Sequence, residues 1–156
     1  MLLLAERGVD FVVVGGYAAA AYGSSLVTQD VDICCDFSPE NLLRLQDALK
    51  EHHPVHRMTP KRLPLLLTTE GCRGLKNLYL ETDIGQLDCL GFVLGVGDFQ
   101  VVKQQSIPID MDGVECRLID LETLIKAKKA MGRPRDLLAV QELEMIRSQV
   151  VDGEND

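Results

Sequence analysis

No apolar run in these 156 residues approaches the roughly 20 that a membrane-spanning helix needs. The opening MLLLAERG is too short and too quickly charged for a signal peptide, so a cytoplasmic protein with no membrane partner is expected. Positive charge is in deficit. Sixteen Lys and Arg face 24 Asp and Glu, giving a net charge of −8 and a pI near 4.8. That balance argues against a chain that wraps nucleic acid through its overall field. It leaves a nucleotide open, because a divalent cation mediates between acidic side chains and phosphates. The five cysteines, Cys34, Cys35, Cys72, Cys89 and Cys116, form no C-x-x-C pair, so buried reduced thiols are expected rather than zinc or a disulfide framework. Pro54 interrupts the histidine run EHHPVH, which reads as a polar loop rather than a metal site. Internal repeats, linkers and low-complexity segments are absent, as is any Ser-His-Asp or Cys-His pairing suited to nucleophilic catalysis.

With 46% hydrophobic and 26% charged residues, the composition is that of one ordinary globular domain, long enough to bury a core unaided. A short helix ends at Gly8, and Val9 to Val14 is a continuous β-branched and aromatic run, the mark of a strand buried on both faces. Gly15-Gly16 ends it, and YAAAAYG follows as an Ala-rich helix. After the polar connection SSLVTQ, strand character resumes at Val31 to Cys35. Ser38 at a cap and Pro39 at the first position start a helix running to about Lys50. The pattern then dissolves around Pro54, Pro60 and Pro64, with a weak strand expected at Leu65 to Thr69 and another at Ile84 to Leu90. SIPIDMDGVECRLI reads as a hairpin turning at Asp112-Gly113. Asp120 caps a helix through Met131, and a last helix covers about Asp136 to Val150 before a frayed DGEND tail. The fold class is α/β: a mixed, mostly antiparallel sheet backed by helices on one face. Its core spans about residues 8–119, and a helical C-terminal segment follows over 120–150.

Asp30-Val31-Asp32 is anomalous in that frame, because strands disfavour Asp. Alternation puts both carboxylates on one side, with Cα atoms roughly 7 Å apart, while Val31 and Ile33 pack on the other. A capped strand end with two solvated acids would explain the pair taken alone. Its neighbourhood says more. A strand, a Gly-Gly turn and a helix N-terminus present free N–H groups and a dipole to an anion, and glycine permits close approach. A phosphate cradle followed by two hard oxygen ligands fits a metal-bound nucleoside triphosphate. The familiar G-x-G-x-x-G and G-K-[ST] motifs are missing.

Gly15-Gly16, thirteen residues and then Asp30-x-Asp32 resembles the signature of the polymerase-beta-like nucleotidyltransferase superfamily, in particular its minimal and abortive-infection toxin-type prokaryotic members. The closing DLETLIKAKKAMGRPRDLLAVQEL resembles that family's Lys-bearing helix and Arg-Pro-Lys-Asp-like turn. The resemblance implies two Mg²⁺ ions, or Mn²⁺ in their place, held by Asp30, Asp32 and a third carboxylate from a neighbouring strand. Asp88 in GQLDCLG matches that position better than Asp83, which lies where the strand begins. Gly15, Gly16, Ser24 and Thr28 are the implied phosphate contacts. Lys128 sits on the inward stripe with Leu121, Leu124 and Ile125, where it either snorkels or offsets charge in the site. Arg133 and Asp136 are read as pinning the turn, and Arg57, Lys61, Arg62, Arg73 and Lys76 as a basic rim.

The implied activity is transfer of an NMP group from an NTP, with ATP the expected donor, to an acceptor hydroxyl on a small molecule, tRNA or protein. Asp88 is then the carboxylate beside the acceptor. Small relatives commonly carry Arg three residues after the glycine matching Gly23, where this chain has Leu26. That departure keeps open a degenerate nucleotide- or partner-binding module, for instance half of a toxin–antitoxin pair. A chain this short is also a candidate homodimer.

Overall fold

A computed structural model of the chain describes residues 1–154. In order, the elements are α1 (Leu2–Glu6), β1 (Phe11–Val14), α2 (Gly15–Ala21), β2 (Asp30–Cys35), α3 (Pro39–Leu49), β3 (Val55–His56), α4 (Thr69–Cys72), β4 (Asn77–Thr82) and β5 (Gly85–Leu90). There follow β6 (Phe92–Val93), β7 (Gly97–Asp98), α5 (Phe99–Gln104), β8 (Ser106–Met111), β9 (Val114–Ile119), α6 (Leu121–Met131) and α7 (Pro134–Glu154). Seven strands form one sheet in the order β3-β4-β5-β2-β1-β9-β8, and β6 and β7 make a separate small hairpin.

The sheet is mixed. β1 is parallel to β9, β2 is parallel to β5, and the remaining four pairings are antiparallel. All four residues of β1 are buried, as its unbroken apolar run requires at the sheet centre. The β8–β9 hairpin turns at Asp112 and Gly113 with φ of 53° and 84°, the left-handed pair that matches strand twist. Ser38 accepts from the Asn41 amide at 3.3 Å and Asp120 from the Thr123 amide at 2.7 Å, so both expected caps start their helices.

Register decides which residues share a face. Val14 lies opposite Asp32, Asp32 beside Asp88, and Asp88 opposite Tyr79, in one row across four strands. The next residues along, Val13, Ile33, Cys89 and Leu78, form the opposite row and are all buried. One face of the central sheet is therefore dry core, and the other brings carboxylates into a cleft.

The far end of the β1–β2 ladder is clamped by Asn41, which is 2% exposed. Its Oδ1 accepts from the Asp10 amide at 2.8 Å, and its Nδ2 donates to the carbonyls of Asp10 at 3.1 Å and Asp36 at 2.8 Å. One side chain thus ties the chain entering β1 to the chain leaving β2.

Three sequence expectations need correction. Leu65 to Thr69 is not a strand: Pro64 makes only an isolated bridge to Val55, and α4 begins at Thr69. Leu65 is buried and Leu67 packs partly buried against the core while Leu66 is 81% exposed, so the apolar run anchors a loop through alternate side chains. β4 and α5 are additional elements within stretches the sequence reading left unassigned. The last helix continues through Asp152–Glu154 of the expected frayed tail, while residues 155–156 lie outside the described residues. The structure contains no helix long and apolar enough to cross a membrane among the described residues.

Replacing Asn41 with Ala strands the Asp10 amide and the Asp36 carbonyl. The expected loss is about 2–3 kcal/mol of unfolding free energy, read as a lower urea midpoint at unchanged slope.

Candidate active site

Asp30, Asp32 and Asp88 line a single cleft of about 610 Å³, together with Gly15, Gly16, Thr28 and Lys128. Seven of the eight residues expected at the site therefore meet. Ser24 does not join them. Its hydroxyl donates to Glu142 Oε2 at 2.6 Å, and the Ser25 hydroxyl and amide also bond the Glu142 carboxylate, which fastens the 23–29 connection to α7. Ser24 instead lines a small neighbouring crevice with Gly16, Leu26 and Arg135.

The two glycines are needed for a reason beyond ligand approach. A Cβ on Gly15, whose φ is +66°, would lie 2.3 Å from Asp32 Oδ2, and one on Gly16 would lie 2.7 Å from Thr28 Cβ. The start of α2 is pressed directly against the Asp32 carboxylate and the Thr28 side chain. Only glycine allows both the backbone angle and the contact.

Asp32 is the strained charge of the site. Burial, then the neighbouring Asp88, and also Asp30, push its carboxyl up to about 6 from an ordinary 3.8, against the opposing pull of Lys128 and Arg133. The Asp30 carbonyl accepts from the Thr28 hydroxyl at 3.2 Å, but neither the Asp30 nor the Asp32 carboxylate accepts a hydrogen bond or forms an ion pair among the described residues. Two hard oxygen donors without partners, one of them destabilised by like charge, suit a divalent cation.

Asp88 is held differently. Arg57 Nη2 donates to Oδ2 at 2.6 Å and Oδ1 at 2.7 Å, and Arg57 Nε donates to Oδ1 at 3.1 Å. The described residues contain no gathered group of three His, Cys, Asp or Glu side chains placed to hold a metal ion. Arg57, expected on a basic rim, lies elsewhere. The structure puts it on a site carboxylate.

The opposite wall is cationic. Lys128, 15% exposed along its side chain, reaches Asp136 Oδ1 at 3.4 Å. Arg133 Nε donates to Asp136 Oδ2 at 2.6 Å, so the expectation that Arg133 and Asp136 pin the turn holds, with Lys128 as a third member. Burial pushes the Asp136 carboxyl up, but the Arg133 hydrogen bond and the Lys128 charge outweigh it and hold the group below its usual range. Arg135 also lines the cleft, and its guanidinium donates to the Val27 carbonyl. It therefore brings a positive charge to the connection where Leu26 supplies none. Tyr79, Leu90, Phe92 and Leu94 add apolar lining.

No family model matches this sequence, and no curated protein is similar to it at the level of sequence. Solved structures are similar to it. A Thermotoga maritima protein provisionally described as a nucleotidyltransferase superposes with a TM-score of 0.56 at 18% identity, covering 96% of this chain and 89% of that one. The lincosamide antibiotic adenylyltransferase LnuA, in its lincomycin-bound structure, gives 0.59 at 14% identity over 92% of this chain and 91% of its own. An antigenic nucleotidyltransferase-like protein from Paracoccidioides brasiliensis gives 0.51 at 15% identity, covering 98% and 84%. The fold is of the nucleotidyltransferase type.

Two outcomes follow from the packing of Asp32. In EDTA the native protein keeps a proton on Asp32 up to about pH 6, while the unfolded chain loses it near 3.8. The native state binds more protons in that window, so stability falls as pH rises through it. Asp32→Asn should therefore be more stable than wild type at pH 8, by on the order of 1–2 kcal/mol after solvent screening. Below about pH 4 the advantage should vanish, with urea melts at the two pH values as the measurement. Gly15→Ala should cost about 1–3 kcal/mol in the same assay.

Proposed function

We propose that this chain is a metal-dependent nucleotidyltransferase, moving an NMP group from an NTP to an acceptor hydroxyl and releasing pyrophosphate. The observation that carries the reading is the row of carboxylates from adjacent strands, Asp32 and Asp88 with Asp30 one step along, facing a cleft whose other wall is cationic. The fold supports it, since the three structures compared above are described as a nucleotidyltransferase, an adenylyltransferase and a nucleotidyltransferase-like protein.

In this reading Asp30 and Asp32 hold divalent cations, Mg²⁺ or Mn²⁺, with Asp88 as the third ligand. Such ions supply charge neutralisation for the triphosphate and activation of the acceptor oxygen. The chain's own residues do the rest. The start of α2 at Gly15-Gly16 faces the phosphates, Thr28 backs it with its hydroxyl on the Asp30 carbonyl, and Lys128 and Arg135 offset the phosphate charge. The acceptor oxygen forms a bond to the α-phosphorus as the bond to the bridging oxygen breaks. Pyrophosphate leaves with that electron pair, and the hydroxyl proton passes to a cleft carboxylate. Positioning and preorganised charge account for most of the acceleration.

ATP is the donor to test first, because one neighbour is an adenylyltransferase. That neighbour's lincosamide ligand and the net charge of −8 favour a small-molecule acceptor over tRNA. A second reading has its own observation: Arg57 already neutralises Asp88. A nucleotide- or partner-binding module without turnover, alone, as a homodimer or with an antitoxin-like protein, is consistent with that pairing.

The test is pyrophosphate release from each of the four NTPs with Mg²⁺, using cell extract as acceptor source. Release from one NTP that falls at least about 100-fold in Asp30→Asn/Asp32→Asn is the expected result. Nucleotide binding without release supports the second reading, and absence of both overturns the nucleotide assignment.

A further inference from the structure

We propose that Arg57 is the resident counter-ion of Asp88, a positioning residue that a divalent cation must displace before the third carboxylate joins the site. The inference rests on the metal-dependent reading above and goes beyond it by naming what regulates metal entry.

The geometry is specific. The Arg57 amide donates to the Tyr79 carbonyl at 3.0 Å, continuing the β3–β4 ladder by one residue. Tyr79 is the register partner of Asp88. Arg57, Tyr79 and Asp88 therefore form a line across three strands, and the guanidinium carbon lies 5.5 Å from the Tyr79 ring centroid. Both oxygens of Asp88 are engaged, and the two side chains are only 20% and 12% exposed. Buried this far, the pair is weakly screened and its planar, two-oxygen geometry is strong.

A cation at Asp88 competes with that contact in two ways. It needs lone pairs on oxygens that now accept from Arg57, and it places two positive centres side by side in a region of reduced dielectric. Asp30 and Asp32 present no such obstacle. The first ion is therefore taken by the Asp30–Asp32 pair, and Asp88 is recruited only as Arg57 moves off. The guanidinium has somewhere to go. The segment after it is a surface loop in which Met58 is 67% and Leu63 52% exposed, and Arg57 Nη1 already touches Met58 Sδ at 3.4 Å. Before metal arrives, the pairing lowers the like-charge strain between Asp88 and Asp32. In this way the site stays folded without metal and still keeps three acids available.

The experiment is Mn²⁺ titration of the purified full chain, read by loss of the free-ion electron paramagnetic resonance signal, for wild type and Arg57→Gln. Arg57→Gln is expected to bind Mn²⁺ about tenfold more tightly, because one adjacent opposing charge is gone. The same substitution made in an Asp88→Asn background should have a much smaller effect, because Arg57 then acts on Asp30 and Asp32 only at longer range. Circular dichroism verifies the fold of each variant. If Arg57→Gln does not fold, the comparison is made on Arg57→Lys, whose single ammonium covers less of the carboxylate and should tighten binding by a smaller factor. Equal or weaker binding by the folded variant, with wild type still binding Mn²⁺, overturns the role of Arg57 and leaves the metal site standing. If neither wild type nor variant binds Mn²⁺, the metal-dependent reading falls and the inference falls with it.

Discussion

Placing one carboxylate beside another in the middle of a sheet is the constraint on which the rest of this structure depends. β1 ends at Val14 opposite Asp32, and β5 sets Asp88 beside it, so two acids sit side by side on neighbouring strands. Burial and that neighbour raise the affinity of Asp32 for a proton, a cost that folding alone gives no reason to accept. The strand cannot slip to avoid it. A one-residue shift would turn Ile33 and Cys89 out of the dry face and put the acids into the core. Asn41 at the far end and the four buried residues of β1 hold the register that keeps the charges together.

Positive groups around the cleft answer this charge in three separate ways. Arg57 takes Asp88 directly and with both oxygens. Lys128 and Arg133 act on Asp32 at longer range and are themselves held by the buried Asp136. Arg135 comes from the first turn of α7 and reaches the connection before β2. Two of the three devices thus come from the C-terminal helices, whose attachment through Glu142 also fixes Ser24 and Ser25. The helical segment is part of the cleft's electrostatics rather than an appendage to the sheet.

Much of this was legible in the chain and some of it was not, for physical reasons. Alternation alone puts Asp30 and Asp32 on one side, and Asp88 sits at the matching phase of its own strand. The caps Ser38 and Asp120 and the Asp112-Gly113 turn are local chemistry, readable at short range. Strand order is not local. That Asp32 and Asp88 are adjacent requires β5 to pair with β2, across more than fifty residues and without a direct connection. Arg57 was legible only as a basic residue, because it follows a two-residue strand and its partner lies 31 positions away. Ser24 was misplaced for the same reason: the acceptor that turns its hydroxyl, Glu142, is 118 positions on. The run at Leu65 looks like a strand because Leu65 and Leu67 turn inward and Leu66 outward, but beyond the bridge at Pro64 no neighbouring strand pairs with it.

The same arrangement gives the cleft a direction. Across the sheet its floor runs from Tyr79 through Asp88 and Asp32 to Val14 and Gly15, and Leu90, Phe92 and Leu94 add apolar lining. Phe92 and Leu94 belong to the small β6–β7 hairpin, which is seated so closely on α6, the helix that carries Lys128, that a Cβ on Gly95 would fall 2.5 Å from Ala130 Cβ. Phe92 is nevertheless 57% and Leu94 52% exposed, so the hairpin presents apolar surface it does not need for its own packing. Apolar surface left open beside a charged cleft carries no polar atom that must be satisfied, so covering Phe92 and Leu94 gains burial without unpairing any group of the carboxylate row.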